Sequence, residues 1–150
     1  MRILVATDGS RGGRAALRFA ARIATRDRRT VLKVITIGID GSAPLPRVSG
    51  EVRPKDEERH RAHRALDAAT RALESLRVRA DLRLVSARSG EPVPEAIARE
   101  ADRWKADLVV VGSEGRDTLK EWVVGGVALR LIYVARRPVA VVRPPRRRRA

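Results

Sequence analysis

Gly112-Ser-Glu-Gly115-Arg-Asp-Thr-Leu-Lys-Glu-Trp-Val-Val-Gly125-Gly126 follows the apolar run Leu108-Val-Val-Val111 and precedes Val127, Leu131 and Val134. The i, i+4, i+7 spacing of those last three puts them on one helical face. A buried strand therefore runs into two glycine turns, and the second turn opens a helix. Glycine lets backbone pass close to a bulky anion, because no Cβ intervenes. A helix N-terminus offers unpaired N–H groups and the positive end of a dipole. Turns so spaced could hold a polyphosphate between them, or they could only bend the chain sharply. From this stretch alone both readings stand.

Working outward, the same alternation of short apolar strand and amphipathic helix recurs. Ile3-Leu-Val-Ala6 is a continuous apolar run, as expected of a strand buried on both faces. Thr7-Asp8-Gly9-Ser10 turns the chain, and Asp8 or Ser10 can cap the helix that follows over about 11–26. Its inner face is Ala16, Phe19, Ala20, Ile23 and Ala24, with Arg14, Arg18, Arg22 and Asp27 around the others. Val31–Ile37 is a second strand, and 38–52 reads as a Gly-, Pro- and Ser-rich loop. Ala62, Ala65, Leu66, Ala69, Leu73 and Leu76 stripe a helix over about 55–77 that Pro54 is placed to start. Leu82–Ala87 is a third strand, 89–94 a turn, and Ile97, Ala98, Ala101 and Trp104 the inner face of a helix ending near 104. Leu108–Val111 and Val139–Val142 are the fourth and fifth strands. Strands and helices alternating in this way mean a parallel sheet with helices on both faces, an α/β doubly wound fold.

The chain has 150 residues, enough for one domain with a substantial core. It has no Cys, so disulfides and thiolate metal sites are excluded. Its start lacks the long apolar region of a signal peptide, and no apolar run approaches the roughly 20 residues of a membrane span. The expectation is a cytoplasmic protein with no membrane partner. The net charge is +15, carried almost wholly by Arg. Such a field attracts polyanions, although Arg also suits a surface that simply stays charged and solvated. Arg143-Pro-Pro-Arg-Arg-Arg-Arg-Ala150 reads as a basic, flexible arm, because two prolines stop strand pairing and like charges repel.

Gly112-x2-Gly115-x9-Gly125 resembles the ATP-binding signature of the universal stress protein family. Ile-Leu-Val-Ala-Thr-Asp-Gly-Ser at 3–10, Ala106-Asp107-Leu-Val-Val-Val-Gly112, and Arg137-Pro138-Val-Ala-Val-Val142 fit the same family. The resemblance runs in order over residues 1–143, leaving 144–150 as the tail. It implies a five-stranded sheet of order 3-2-1-4-5, of the adenine-nucleotide alpha hydrolase-like or Rossmann-like kind. The switch point would lie between strands 1 and 4, where open α/β sheets bind ligands. It also implies ATP, with or without Mg²⁺, as cofactor. The family's site maps here onto Ala6, Thr7 and Asp8 after strand 1, with Asp8 toward the ribose or base. Val34 in strand 2 would line the adenine pocket, and Val111 and Gly112 would border adenine and ribose. Gly115, Gly125, Gly126 and Val127 would offer N–H groups to the phosphates, and Arg116 would add charge.

One position departs from the pattern. Residue 126 is Gly where nucleotide-binding members carry Ser or Thr. A hydroxyl bonded to a charged phosphate contributes about 1.5–3 kcal/mol, or about 10- to 100-fold in affinity. Glu114 would also repel phosphates. Binding of ATP or a related adenine nucleotide should therefore be weaker than in members with Ser.

No catalytic apparatus is evident. The P-loop Gly-Lys-[Ser/Thr] is missing, so Walker-type phosphoryl transfer lacks its Lys, and slow ATP hydrolysis is the most the residues would support. Asp56, His60, His63 and Asp67 share a helix face, but one face supplies few ligands at suitable angles, and no metal site is assigned. Two alternatives to a nucleotide-binding regulatory homodimer, paired through the last strand, remain at this level. One is a polyanion-binding module whose basic surface and tail engage DNA or RNA. The other is a structural dimer with no bound nucleotide.

Overall fold

The structure, a computed structural model, describes residues 1–39, 54–114 and 124–145. In chain order the elements are β1 (Arg2–Ala6), α1 (Arg11–Arg26), β2 (Val31–Ile39), α2 (Pro54–Ser75), β3 (Ala80–Ala87), α3 (Val93–Trp104), β4 (Leu108–Gly112), α4 (Gly126–Val134) and β5 (Val139–Val142). The strands form one parallel sheet in the order β3-β2-β1-β4-β5, the order that the resemblance implies.

Strand alternation divides the core into two layers. Ile3, Val5, Leu32, Val34 and Val110 point to one face, where Ala16, Leu17, Ala20 and Ala21 of α1 and Ala69 and Leu73 of α2 cover them. Leu4, Ile35, Val109 and Val111 point to the other, under Ile97, Ala98 and Ala101 of α3 and Ala128 and Leu131 of α4. Leu4, Val5, Val34, Ile35, Val109 and Val110 are fully buried, which is why these strands read as apolar runs and not as an alternating pattern.

Several boundaries differ from the sequence reading by one or two residues, β3 opening at Ala80 and not Leu82 among them, and two of the shifts have a visible cause. β2 continues through Gly38 and Ile39, which pair with Ser86 and Ala87 of β3. Partner strand and not local composition decides where that strand stops. α2 ends at Ser75, so Leu76 leaves the stripe and is 40% exposed. Arg77 there takes a left-handed conformation (φ 53°), and the Val78 N–H closes onto the Leu73 carbonyl, a helix stop usually made with glycine. The remainder of the 38–52 loop lies outside the described residues, as does the arm beyond Pro145. Pro144, assigned to the arm by composition, is buried. Among the described residues, no helix is long and apolar enough to cross a membrane.

Candidate functional site

The carboxyl ends of β1 and β4 lie side by side at the point where the strand order reverses. Beyond β1, the Thr7 N–H donates to the Ile35 carbonyl (2.9 Å) and the Thr7 carbonyl accepts from the buried Thr36 hydroxyl (2.8 Å), which fixes the exit of the strand. Asp8 accepts the Ser10 N–H at 2.9 Å, a local turn that explains the Asp two residues before the helix cap. Ser10 is the N-cap: its Oγ accepts the Gly13 N–H at 3.1 Å. The same hydroxyl donates across the sheet end to the Glu114 carbonyl at 3.2 Å, so one side chain ties the β1 exit to the β4 exit.

The first turn of α1 sits directly on the end of β4. An added Cβ on Gly112 would lie 2.2 Å from the Gly12 carbonyl carbon, and one on Gly13 would lie 2.5 Å from Thr7 Oγ1. Only glycine permits this approach. Sequence reading gave Gly12, Gly13 and Ser10 no place in the site beyond a cap; the Gly-Gly pair at a helix start was the available signal.

β4 continues into Ser113 and Glu114, and the chain returns at Gly125, whose N–H donates to the Ser113 carbonyl at 2.7 Å. That bond brings the N-terminus of α4 to the β4 exit. Ser113 in turn donates its N–H to the Val142 carbonyl (2.8 Å), so β5 ends at the same place. Gly125 thus spends on Ser113 the N–H expected to face a phosphate. It is the N-cap of α4 and supplies no side-chain cap. The N–H groups of Gly126, Val127 and Ala128 head the helix, where no intrahelical acceptor exists. Gly126 is exposed, and among the described residues nothing lies within 4 Å of where its Cβ would stand. Two guanidiniums edge the region: Arg14 donates to the Gly9 carbonyl at 2.6 Å, and Arg11 donates to the Pro145 carbonyl.

The structure therefore gathers Ala6, Thr7, Asp8, Gly112, Gly125, Gly126 and Val127 at one end of the sheet. Val111 is buried just below, in the α3/α4 layer. Val34 pairs in register with Val5, one residue before Ala6, and is fully buried in the α1/α2 core. Gly115 and Arg116 lie outside the described residues. His60, His63 and Asp67 are exposed on α2, the side chain of Asp56 is outside the described set, and no three His, Asp or Glu side chains among the described residues are placed to share a metal ion.

The family model described as the universal stress protein family matches residues 1–143. Universal stress protein MJ0531 of Methanocaldococcus jannaschii is 27% identical over 146 residues, covering 97% of this chain and 84% of that protein. The crystal structure of a universal stress protein family member from Burkholderia pseudomallei aligns with a TM-score of 0.69 at 29% identity, covering 96% of each chain. The universal stress protein of Archaeoglobus fulgidus in complex with dAMP aligns at 0.67 and 26% identity, over 95% of this chain and 97% of that one.

Proposed function

The chain belongs to the universal stress protein family, and on that premise we propose that it is a cytoplasmic regulatory protein that binds ATP or a related adenine nucleotide at the joined ends of β1 and β4. The observation that carries this reading is the Gly125–Ser113 bond, which sets the uncapped N-terminus of α4 beside the strand switch point. First-turn N–H groups and the helix dipole suit an anion there. The open space at Gly126 leaves room for a phosphate chain. Asp8 suits a ribose, because a carboxylate accepts from both hydroxyls. The relative that holds dAMP supports adenine as the base. In this reading Gly126 and Val127 meet the phosphates, Gly115 and Arg116 complete the cradle, and Mg²⁺ accompanies the triphosphate. The absence of a P-loop lysine favours a nucleotide-held switch over a turnover enzyme.

Isothermal titration with ATP, ADP and AMP, with and without Mg²⁺, tests the proposal. Mass spectrometry of small molecules released from the purified protein tests it independently. Binding of AMP and ATP with equal affinity would remove the phosphate cradle from the reading. No binding by either the native chain or Gly126→Ser would remove the nucleotide.

A homodimer through β5 is supported by a separate observation. Among the described residues β5 is an edge of the sheet with no strand beyond it, and all four of its residues are half-buried. Next to it, α4 exposes Leu129 (50%), Ile132 (51%) and Tyr133 (81%). An apolar, unpaired edge flanked by apolar side chains is a hazard unless covered.

A further inference from the structure

Ten of the fifteen net positive charges sit in two stretches: the five arginines of α1, and those at 143 and 146–149. Arg11 of α1 donates to the carbonyl of Pro145, two residues after Arg143. The helices differ in how their charge is partnered. On the α3/α4 side, arginines are neutralised where they stand: Arg99 by Glu91 (2.8 Å), Arg103 by Glu100 (2.7 Å), Arg130 by Glu95 (2.6 Å) and Arg137 by Asp102 (2.9 Å). α2 balances five basic side chains with five acidic ones. α1 contains no acidic residue. Arg14, Arg18, Arg22 and Arg26 are all exposed, and among the described residues none of them pairs with a carboxylate. A composition that merely favoured Arg would not leave α1 with five arginines and no carboxylate, beside a balanced α2.

We infer that the outward face of α1 is a docking surface for the phosphate backbone of duplex nucleic acid. The four arginines recur every fourth residue, opposite the buried Gly12, Ala16 and Ala20 row, so they form one continuous line. At about 1.5 Å of rise per residue the line is about 18 Å long. A duplex strand presents a phosphate about every 3.4 Å of axis, so about five phosphates lie within that length. Guanidinium forks bind phosphate oxygens in pairs. Recognition is of backbone and not of base, because no exposed aromatic stands on the face: Phe19 and Ile23 pack into the core. The same fact argues against a membrane surface, which takes an amphipathic helix with an apolar edge to insert. The large apolar side chains that are exposed lie elsewhere, at Leu76, Leu129, Ile132 and Tyr133 among others.

The test uses the full chain and a labelled mixed-sequence duplex, read by fluorescence anisotropy across a salt series. Native protein should bind with steep salt dependence. The triple variant Arg18→Gln, Arg22→Gln, Arg26→Gln should lose at least about tenfold in affinity at low salt, and its log–log salt slope should fall by about three. Gln preserves helix propensity, and circular dichroism should be unchanged. A control, Arg88→Gln, Lys105→Gln, Arg136→Gln, removes equal charge from exposed positions off α1 and should lose less than about twofold. Equal losses from the two triples would overturn the assignment to α1. So would absence of duplex binding in the native chain, or binding confined to anionic vesicles.

Discussion

Gly12 and Gly112 touch backbone to backbone: a Cβ built on Gly112 would stand 2.2 Å from the Gly12 carbonyl carbon and 2.7 Å from its Cα. This contact seats the first turn of α1 on the end of β4 and sets the width of the proposed crevice. Neither partner is the flexible tip of a side chain, so a methyl group there must push backbone apart. Gly112→Ala should therefore lower stability by about 1–3 kcal/mol, seen as a lower urea midpoint at unchanged slope. Gly126→Ala, where no atom of the described residues lies within 4 Å, should cost no stability. Equal effects at the two positions would contradict the packing.

Gly126 has room for a side chain and heads α4. Gly126→Ser places a hydroxyl where first-turn N–H groups already favour an anion. Affinity for ATP should rise about 10-fold or more, since a hydrogen bond to a charged partner contributes about 1.5–3 kcal/mol. The gain should be smaller for AMP, whose single phosphate reaches less of the cradle. Calorimetry with both nucleotides distinguishes a phosphate contact from general stiffening of the helix start.

The architecture was legible because the central strands are short apolar runs, β3 alternates apolar with polar residues, and the helices carry apolar stripes. The strand order needed the resemblance, since local pattern cannot say which strands are neighbours. The glycines of the 112–126 stretch were legible as turns, and the structure brings Gly112 and Gly125 together through Ser113. The double use of Ser10 was not legible, because its second partner, Glu114, is 104 positions away. Nor was the role of Gly12, which depends on a tertiary contact. Val34 shows another limit: a strand valine that fills the core, as this one does, looks the same in sequence whether or not it also borders a pocket.

The apolar side of α4 makes a prediction about assembly. Leu129 and Tyr133 project from successive turns beside the edge strand. If a second copy covers them, Leu129→Glu with Tyr133→Glu should shift sedimentation from dimer to monomer, because two charges would be buried without partners. The substitutions touch no buried position, so the monomer should keep its circular dichroism spectrum. A native chain that sediments as a monomer at micromolar concentration would remove the dimer.

Glu91 gives the fold a pH dependence. The Arg99 guanidinium and then the Arg88 N–H, at 2.8 Å, hold its carboxyl down at about 2, against an ordinary 4.5. A carboxyl depressed by folding stabilises the native state above its unfolded pKa, and that contribution is lost as pH falls toward the folded value. Native protein should therefore exceed Glu91→Gln in stability at neutral pH, with the gap closing between about 4.5 and about 2. Urea titrations of both proteins across that range measure it. A gap independent of pH would mean that Glu91 acts by packing alone.

Glu100 and Lys33 form a buried ion pair at the end of the sheet away from the crevice. Lys33 Nζ lies 2.8 Å from Glu100 Oε1, with side-chain exposures of 10% and 0%. Burial pushes the Glu100 carboxyl up, but hydrogen bonds from Arg103 and Lys33 outweigh it and hold the carboxyl below its ordinary value. Trp104 completes the surroundings, its ring under Lys33 (5.6 Å) and Arg2 (4.8 Å). Taking two charges from water costs much of what their attraction returns, so the pair as a whole adds little. Breaking it is another matter, because the survivor is left charged and buried. Glu100→Leu alone should cost about 3–5 kcal/mol. Adding Lys33→Met should recover most of that loss, and Arg103, whose side chain is 70% exposed, can turn to solvent. A double-mutant cycle in urea supplies the coupling energy. A double variant as unstable as the single one would mean that the pair itself, and not the avoidance of a lone charge, holds α3 against β2.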